Sequence, residues 1–330
     1  MLAILTSYRE PTDSTNPYVT QLHQALLAEP DLQVRTFTLA RALGWRFDVF
    51  HLHWPEPLWS ARTRGRRLGK KLLLLFFLLK LSLTRAVVVQ TLHNLTPHEP
   101  PDRLGQLIVA GLRRRTVLYV RLNDYLGPEL PEPGVTIRHG HYRDWYAGHP
   151  TSASRPGQLL FFGLLRPYKG LTELIPAFQE SRTAAGLRIS GRPTDAELAD
   201  ELQRLAAGDD RVELELRFLD EPELVAAISA SALVVLPYRE MYNSGSLLAA
   251  LSLDRPVLVP DSAVNRLLQA EVGPGWVQIY SELSGAVIDA ALAALPQGRP
   301  DLSGRDWAGA GPAHRAAYRQ AVGRTGWNSV

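Results

Sequence analysis

The stretch Phe161-Phe162-Gly163-Leu164-Leu165-Arg166-Pro167-Tyr168-Lys169-Gly170-Leu171 decides how this chain is read. An apolar run ends in glycine, two cations follow three positions apart, and a second glycine opens the helical spacing Leu171, Leu174, Ile175, Phe178. A strand that turns through glycine into a helix points unpaired backbone N–H groups and a partial positive charge at whatever lies before it. Arg166 and Lys169 add two full charges, which suits a pocket for adjacent phosphates. Read alone, the segment also fits an ordinary strand-to-helix turn with solvated cations.

A second segment favours the phosphate pocket. Ala232-Leu233-Val234-Val235-Leu236-Pro237-Tyr238 reads as a buried strand, and Asn243-Ser244-Gly245-Ser246 precedes Leu247-Leu248-Ala249-Ala250-Leu251. Small, hydroxylated residues and glycine at a helix start can wrap an anion. Arg255-Pro256-Val257-Leu258-Val259-Pro260 follows as another short buried strand. This order resembles the donor half of GT-B glycosyltransferases, particularly family four and its mannosyltransferase-like members. The resemblance implies that Gly163, Arg166, Lys169 and Asn243–Ser246 hold the diphosphate of a sugar nucleotide, with Glu240 beside them. It places base recognition near Gly191-Arg192-Pro193 and Phe218–Glu223, Leu219 included, and leans towards GDP-mannose as donor. By the same carry-over His93, in Thr91-Leu92-His93-Asn94, hydrogen-bonds the donor sugar or positions the reacting centre. Thr15, Asn16, His53, Trp54 and Asn94 are the acceptor-side candidates.

The chain departs from that pattern in three places. The family's two glutamates, eight positions apart around the second helix, become a displaced Glu240 and Ala249. Leu164 stands where the common arginine follows the glycine, and Arg166 comes two residues later. No glycine accompanies Ser14-Thr15-Asn16-Pro17-Tyr18 after the first strand, so close backbone approach to phosphate is not expected there.

Composition bounds the alternatives. The 330 residues are 45% apolar and 21% charged, suited to a two-domain globular protein, and the absence of cysteine excludes disulfides and thiolate chemistry. The net charge of +3 conceals an asymmetry: residues 1–150 carry 19 Lys+Arg against 12 Asp+Glu. Arg62, Arg64, Arg66, Arg67, Lys70, Lys71, Lys80 and Arg85 supply the excess, around the apolar run Leu72–Leu79. That run is far short of the roughly 20 residues that span a bilayer. A basic, Leu/Phe-rich segment over 62–85, with a crossover helix expected at Arg66–Leu83, suits the headgroup region of an anionic membrane instead. No interleaved aromatic residues or recognition motif support nucleic acid binding. Met1–Ser7 reads as a strand rather than a leader, so the expected location is cytoplasmic, peripheral at the inner face of the membrane.

Short apolar strands alternate with helical stretches throughout, implying two doubly wound, Rossmann-like α/β domains facing a central cleft. Strands are expected at Leu2–Thr6, Val34–Leu39, Asp48–His53, Ala86–Leu92, Val117–Arg121 and Val135–Arg138. The second set is Gln158–Phe162, Leu187–Ser190, Arg211–Phe218, Ala232–Pro237, Pro256–Val259 and Trp276–Tyr280. The boundary falls in the small-residue stretch Thr151–Gly157, giving an acceptor-binding domain over 1–154 and a sugar-nucleotide domain over 155–330. A last helix over Ala313–Val322 is expected to return to the first domain.

Six of nine histidines fall at expected strand ends of the first domain: His51, His53, His93, His98, His139 and His141. No metal-ligand spacing and no D-x-D occurs, so the row reads as hydrogen-bonding groups for hydroxyl-rich ligands, with no cofactor and no metal. A metal-independent hexosyltransferase acting on a lipid-linked or glycan acceptor is the leading expectation. A sugar-nucleotide epimerase or hydrolase would need a carboxylate base, for which Glu10, Glu56, Glu99 and Glu240 are candidates. A catalytically inactive nucleotide-sugar-binding regulator is the non-enzymatic alternative.

Overall fold

The computed structural model describes residues 1–13, 15–94, 101–239 and 241–324. The chain forms two compact units, one of Met1–Gly140 with the segment from Arg305 onward, the other of His141–Gly304.

The first unit runs β1 (Leu2–Thr6), α1 (Pro17–Leu27), β2 (Leu32–Arg35), α2 (Leu39–Gly44), β3 (Val49–Leu52), α3 (Glu56–Trp59), α4 (Arg64–Leu83), β4 (Val87–Leu92), α5 (Arg103–Arg115), β5 (Thr116–Arg121) and β6 (Gly134–Thr136). Its six parallel strands lie in the order β2-β1-β3-β4-β5-β6. The inner strands β3, β4 and β5 are largely buried and rich in Val and Leu, the pattern of a parallel sheet covered by helices. Polar caps start the helices: Asn16, Thr38, Thr63 and Asp102 each accept a first-turn backbone N–H.

The second unit runs α6 (Arg143–Tyr146), β7 (Gln158–Phe162), α7 (Leu171–Glu180), β8 (Gly186–Ser190), α8 (Ala196–Ala206), β9 (Val212–Glu215), α9 (Glu221–Ala230), β10 (Leu233–Val235), α10 (Gly245–Ser252), β11 (Val257–Pro260), α11 (Ala263–Val272), β12 (Val277–Tyr280) and α12 (Gly285–Ala293). Its sheet is also parallel, in the order β12-β11-β10-β7-β8-β9. Counted from β7, that is the 3-2-1-4-5-6 arrangement of dinucleotide-binding folds. In such sheets the strand order reverses at one point, and ligands bind beyond the carboxyl ends of the strands there. The reversal lies between β7 and β10 in the second unit and between β1 and β3 in the first.

The closing helix α13 (Ala310–Gly323) packs on α1 in the first unit. A Cβ at Gly311 would stand 2.6 Å from the Ala25 carbonyl oxygen, so glycine permits this close approach. Arg315 and Arg319 then pair with Glu29 and Asp31 at 3.1 and 2.8 Å.

The division at Gly140/His141 corrects the boundary placed after residue 154. The stretch 151–155 is hydrogen-bonded into the second unit: Ser152 N donates to Ser229 Oγ at 2.8 Å, and Arg155 N to the Ala230 carbonyl at 2.9 Å. Several strands are shorter than expected, β2, β9 and β10 among them. Residues 36–39 leave β2 because Thr38 caps α2, and Arg217 and Phe218 leave β9, with Phe218 78% exposed.

Candidate active site

At the reversal point of the second unit, β7 ends in Gly163 at φ 107°, and its N–H donates to the Ser190 carbonyl. A tight Pro167–Lys169 turn follows, and Gly170 at φ 68° opens α7. A side chain at Gly170 would lie 2.2 Å from the Pro237 carbonyl oxygen, and one at Gly191 would lie 1.8 Å from the Gly163 carbonyl oxygen. Glycine is therefore dictated here by close backbone approach as well as by φ. Arg239 N donates to the Tyr168 carbonyl, joining this loop to the one after β10.

The loop turns Lys169 inward. Its side chain is buried between two rings, with Nζ 4.7 Å from the Tyr238 centroid and 5.8 Å from that of Phe161. Burial, with the nearby Arg166 charge second, lowers the ammonium to about 8, so it is still mostly protonated at neutral pH. Ser246, in the first turn of α10, approaches the same place. The position a Cβ would take at Gly163 lies 3.5 Å from Ser246 Oγ and 3.6 Å from Lys169 Nζ. Ser244 Oγ is used as the α10 cap, accepting from Leu247 N at 3.2 Å, so the cap does not occupy the first-turn N–H groups of Gly245 and Ser246. Arg166 is half-buried, and its Nε has no hydrogen-bond partner among the described residues. Gly163, an ammonium, a hydroxyl and a helix N-terminus thus converge on one small volume. Among the described residues, no group of three or more His, Asp or Glu side chains could hold a metal ion.

The first unit's reversal point is built differently. His51 and His53 sit two residues apart on one side of β3. The His51 ring is satisfied at both nitrogens, by Thr91 Oγ1 and Tyr318 OH, each at 2.8 Å. His53 N donates to Ser7 Oγ at 2.8 Å, while His53 Nδ1 pairs with His93 Nε2 at 3.1 Å. Trp54 stacks on His93 at 3.7 Å, and Tyr18 lies 5.4 Å from His93 and 4.5 Å from His139. Burial drives His51 and His53 well below the usual imidazole range, and holds His139 and His314 at about 4. The cluster is neutral. Two of its buried polar atoms, His53 Nε2 and Tyr18 OH, have no hydrogen-bond partner among the described residues.

Known proteins match both the sequence and this architecture. Residues 156–295 match the family described as Glycosyl transferases group 1. A GDP-mannose:glycolipid 4-beta-D-mannosyltransferase of Xanthomonas campestris pv. campestris is 42% identical over 332 residues, spanning 98% of this chain and 94% of that protein. The chain belongs to the glycosyltransferases. Solved structures agree in fold at low identity. An Anabaena protein, HepE, in complex with UDP aligns at a TM-score of 0.61 with 13% identity, over 97% of this chain and 100% of that one. Sucrose-phosphate synthase from Thermosynechococcus elongatus aligns at 0.61 with 14% identity, over 99% and 98%. The glycosyltransferase therefore has the GT-B fold.

Of the residues singled out in the sequence of this glycosyltransferase, Gly163, Lys169 and Ser246 come together, with Arg166, Ser244 and Gly245 on the same loops. Gly191 supports the loop from below, and Arg192 is exposed, its carbonyl accepting from Leu165 N. Leu219 is buried in the hydrophobic core, so its side chain is committed to packing. Asn243 is half-buried just ahead of α10, and Glu240, His98 and Glu99 lie outside the described residues. In the first unit, Asn16 caps α1 and Thr15 Oγ1 accepts from Thr12 N, so both side chains serve the local turn. Asn94 is exposed. Glu10 accepts from Thr36 Oγ1 at 2.8 Å, and Glu56 begins α3. The sequence reading missed Tyr238 beside Lys169, and Tyr18 and Tyr318 beside the histidines. The two helical tyrosines carry apolar-looking spacing, and only their hydroxyls hinted at polar partners.

Proposed function

We propose that this glycosyltransferase moves mannose from GDP-mannose to a lipid-linked saccharide. The observation that carries the reading is the convergence of Lys169 Nζ, Ser246 and the α10 start at Gly163, an arrangement suited to a diphosphate. The 42% identity to a GDP-mannose:glycolipid 4-beta-D-mannosyltransferase supports this donor and acceptor class. As the bond between the anomeric carbon and phosphate breaks, negative charge builds on the departing diphosphate. Lys169, Arg166 and the N–H groups of Gly245 and Ser246 stabilise that charge from fixed positions. His93, steadied by Trp54 and His53, presents a neutral imidazole to sugar hydroxyls. The buried, unpartnered His53 Nε2 and Tyr18 OH add capacity for a hydroxyl-rich acceptor.

A membrane surface supplies the acceptor in this reading. Along α4 the exposed residues Leu68, Leu72, Leu75, Phe76, Leu79 and Leu83 recur at helical spacing and form one apolar face, while Leu74, Phe77 and Leu81 are buried. Arg62, Arg64, Arg66 and Arg67 are exposed around its start. Two cations of the basic run point elsewhere: Lys71 pairs with Asp102, and Lys80 donates to the carbonyls of Ala42 and Trp45. No helix of the described residues is long and apolar enough to cross a membrane. A helix with this distribution lies in the headgroup plane of anionic lipid.

The test is incubation with GDP-mannose, GDP-glucose or UDP-glucose and a diphosphate-linked glycolipid, followed by mass spectrometry. Transfer from GDP-mannose alone is expected. Donor isomerised or hydrolysed without any transfer would overturn the assignment.

A further inference from the structure

The N-terminal ends of β4 and β5, away from the strand ends that carry the histidines, border an open surface pocket of about 360 Å³. Among the described residues, Thr84, Arg85, Val87, Arg114, Arg115 and Val117 line it, and no carboxylate does. Three arginines thus border one pocket, and α5 supplies two of them. Arg113, Arg114 and Arg115 fall in its last turn, where cations complement the carbonyl end of the helix. Arg115 also donates to the Leu81 carbonyl at 3.0 Å, pinning the end of α5 to the end of α4. Arg85 comes from a different element and brings a further charge to the same space. Planar guanidinium forks match the oxygens of a phosphate ester.

The cavity's place in the chain indicates where such a phosphate comes from. Thr84 and Arg85 directly follow Leu83, which is 78% exposed and closes the apolar face of α4. That face therefore has exposed arginines at its start and an arginine-lined cavity at its end. A 20-residue helix is about 30 Å long, so the two cationic ends stand about that far apart.

We propose that the cavity of Arg85, Arg114 and Arg115 is an anion site that takes the phosphate of a membrane lipid headgroup. The site rests on the membrane reading of α4 and fixes the orientation in which α4 lies.

The experiment is co-sedimentation of the full chain with vesicles of phosphatidylglycerol or of phosphatidylcholine, at fixed ionic strength. The cavity variant is Arg85→Gln/Arg114→Gln, which spares Arg115 and its bond to α4. Its charge-matched control is Arg103→Gln/Arg113→Gln, on α5 but outside the cavity. The cavity variant is expected to bind phosphatidylglycerol about thirtyfold more weakly, and the control less than about threefold more weakly. Equal losses in the two variants, or none in the cavity variant, overturn the site. Leu72→Glu/Phe76→Glu tests α4 separately, and undiminished vesicle binding by that variant removes the membrane reading itself. Titration with sn-glycerol 3-phosphate distinguishes the source. Binding of that soluble ester by the wild type, lost in the cavity variant and without any effect of the variant on vesicles, overturns the lipid assignment.

Discussion

The two units share a parallel six-stranded plan, yet their reversal points have opposite chemistry. The second unit places glycines, a buried ammonium and a helix start at the end of β7, where bare backbone and positive charge face outward. The first unit fills the ends of β3 and β4 with imidazoles and phenols that burial keeps neutral. The contrast separates two tasks that a strand order alone leaves undivided. In the proposed function the charge would hold a diphosphate, and the neutral hydrogen-bonding groups would sort sugar hydroxyls without attracting phosphate.

Acid should break the comparison most visibly. His51, His53, His139 and His314 all belong to the first unit, and each takes up a proton far less readily when folded than when unfolded, near 6.5. The unfolded chain therefore binds more protons below pH 6.5, and stability present above that value is lost as pH falls towards about 4. At pH 5 the loss is about 2 kcal/mol for each of His139 and His314, whose folded values lie at about 4. The second unit's Asp289, held low by the hydroxyls of Ser181 and Thr183, gives up its contribution only below its ordinary value of 3.8. Hydrogen exchange at pH 7.5 and pH 5, corrected for intrinsic rates, should show β3, β4 and α13 losing protection first. Simultaneous loss in both sheets would contradict this.

A smaller effect runs in the alkaline direction and belongs to the second unit. Lys169 titrates at about 8, so its charge is withdrawn as pH rises through that value. Affinity for GDP should fall by up to about tenfold per pH unit above it, as measured by equilibrium binding between pH 7 and 9.5. A flat profile would mean that the ammonium does not face the diphosphate. The smallest effect concerns the α10 start. Ser244→Ala removes the hydroxyl that accepts from Leu247 N and should cost about 1 kcal/mol. Thermal unfolding should shift by about 2–4 °C, and an unchanged midpoint would show that the cap is dispensable.

The parallel sheets were legible because buried strands leave continuous apolar runs, and Leu2–Thr6 and Gln158–Phe162 have the expected bounds. The convergence at the loop after β7 was legible because its chemistry is local: glycine, cation and glycine within eight positions of sequence. The unit boundary was not. Thr151–Gly157 has the composition of a linker, but small polar residues serve equally well where a chain bonds along a neighbouring helix end, as Ser152 does with Ser229. The partners of Lys169 and His51 were hidden for another reason. Tyr238 and Tyr318 lie 69 and 267 positions away respectively, and only the fold brings their rings to those side chains. Phe218 and Leu219 show the limit of residue type as a guide, since adjacent apolar residues end up exposed and buried.

The central claim is that the second unit alone grips the diphosphate, through Lys169. Calorimetric titration of GDP into wild type, Lys169→Ala and His93→Ala tests it most directly. Lys169→Ala should bind about 10–100-fold more weakly, with circular dichroism unchanged, and His93→Ala should bind like wild type. Wild-type affinity in Lys169→Ala, or an equal loss in His93→Ala, would contradict the account.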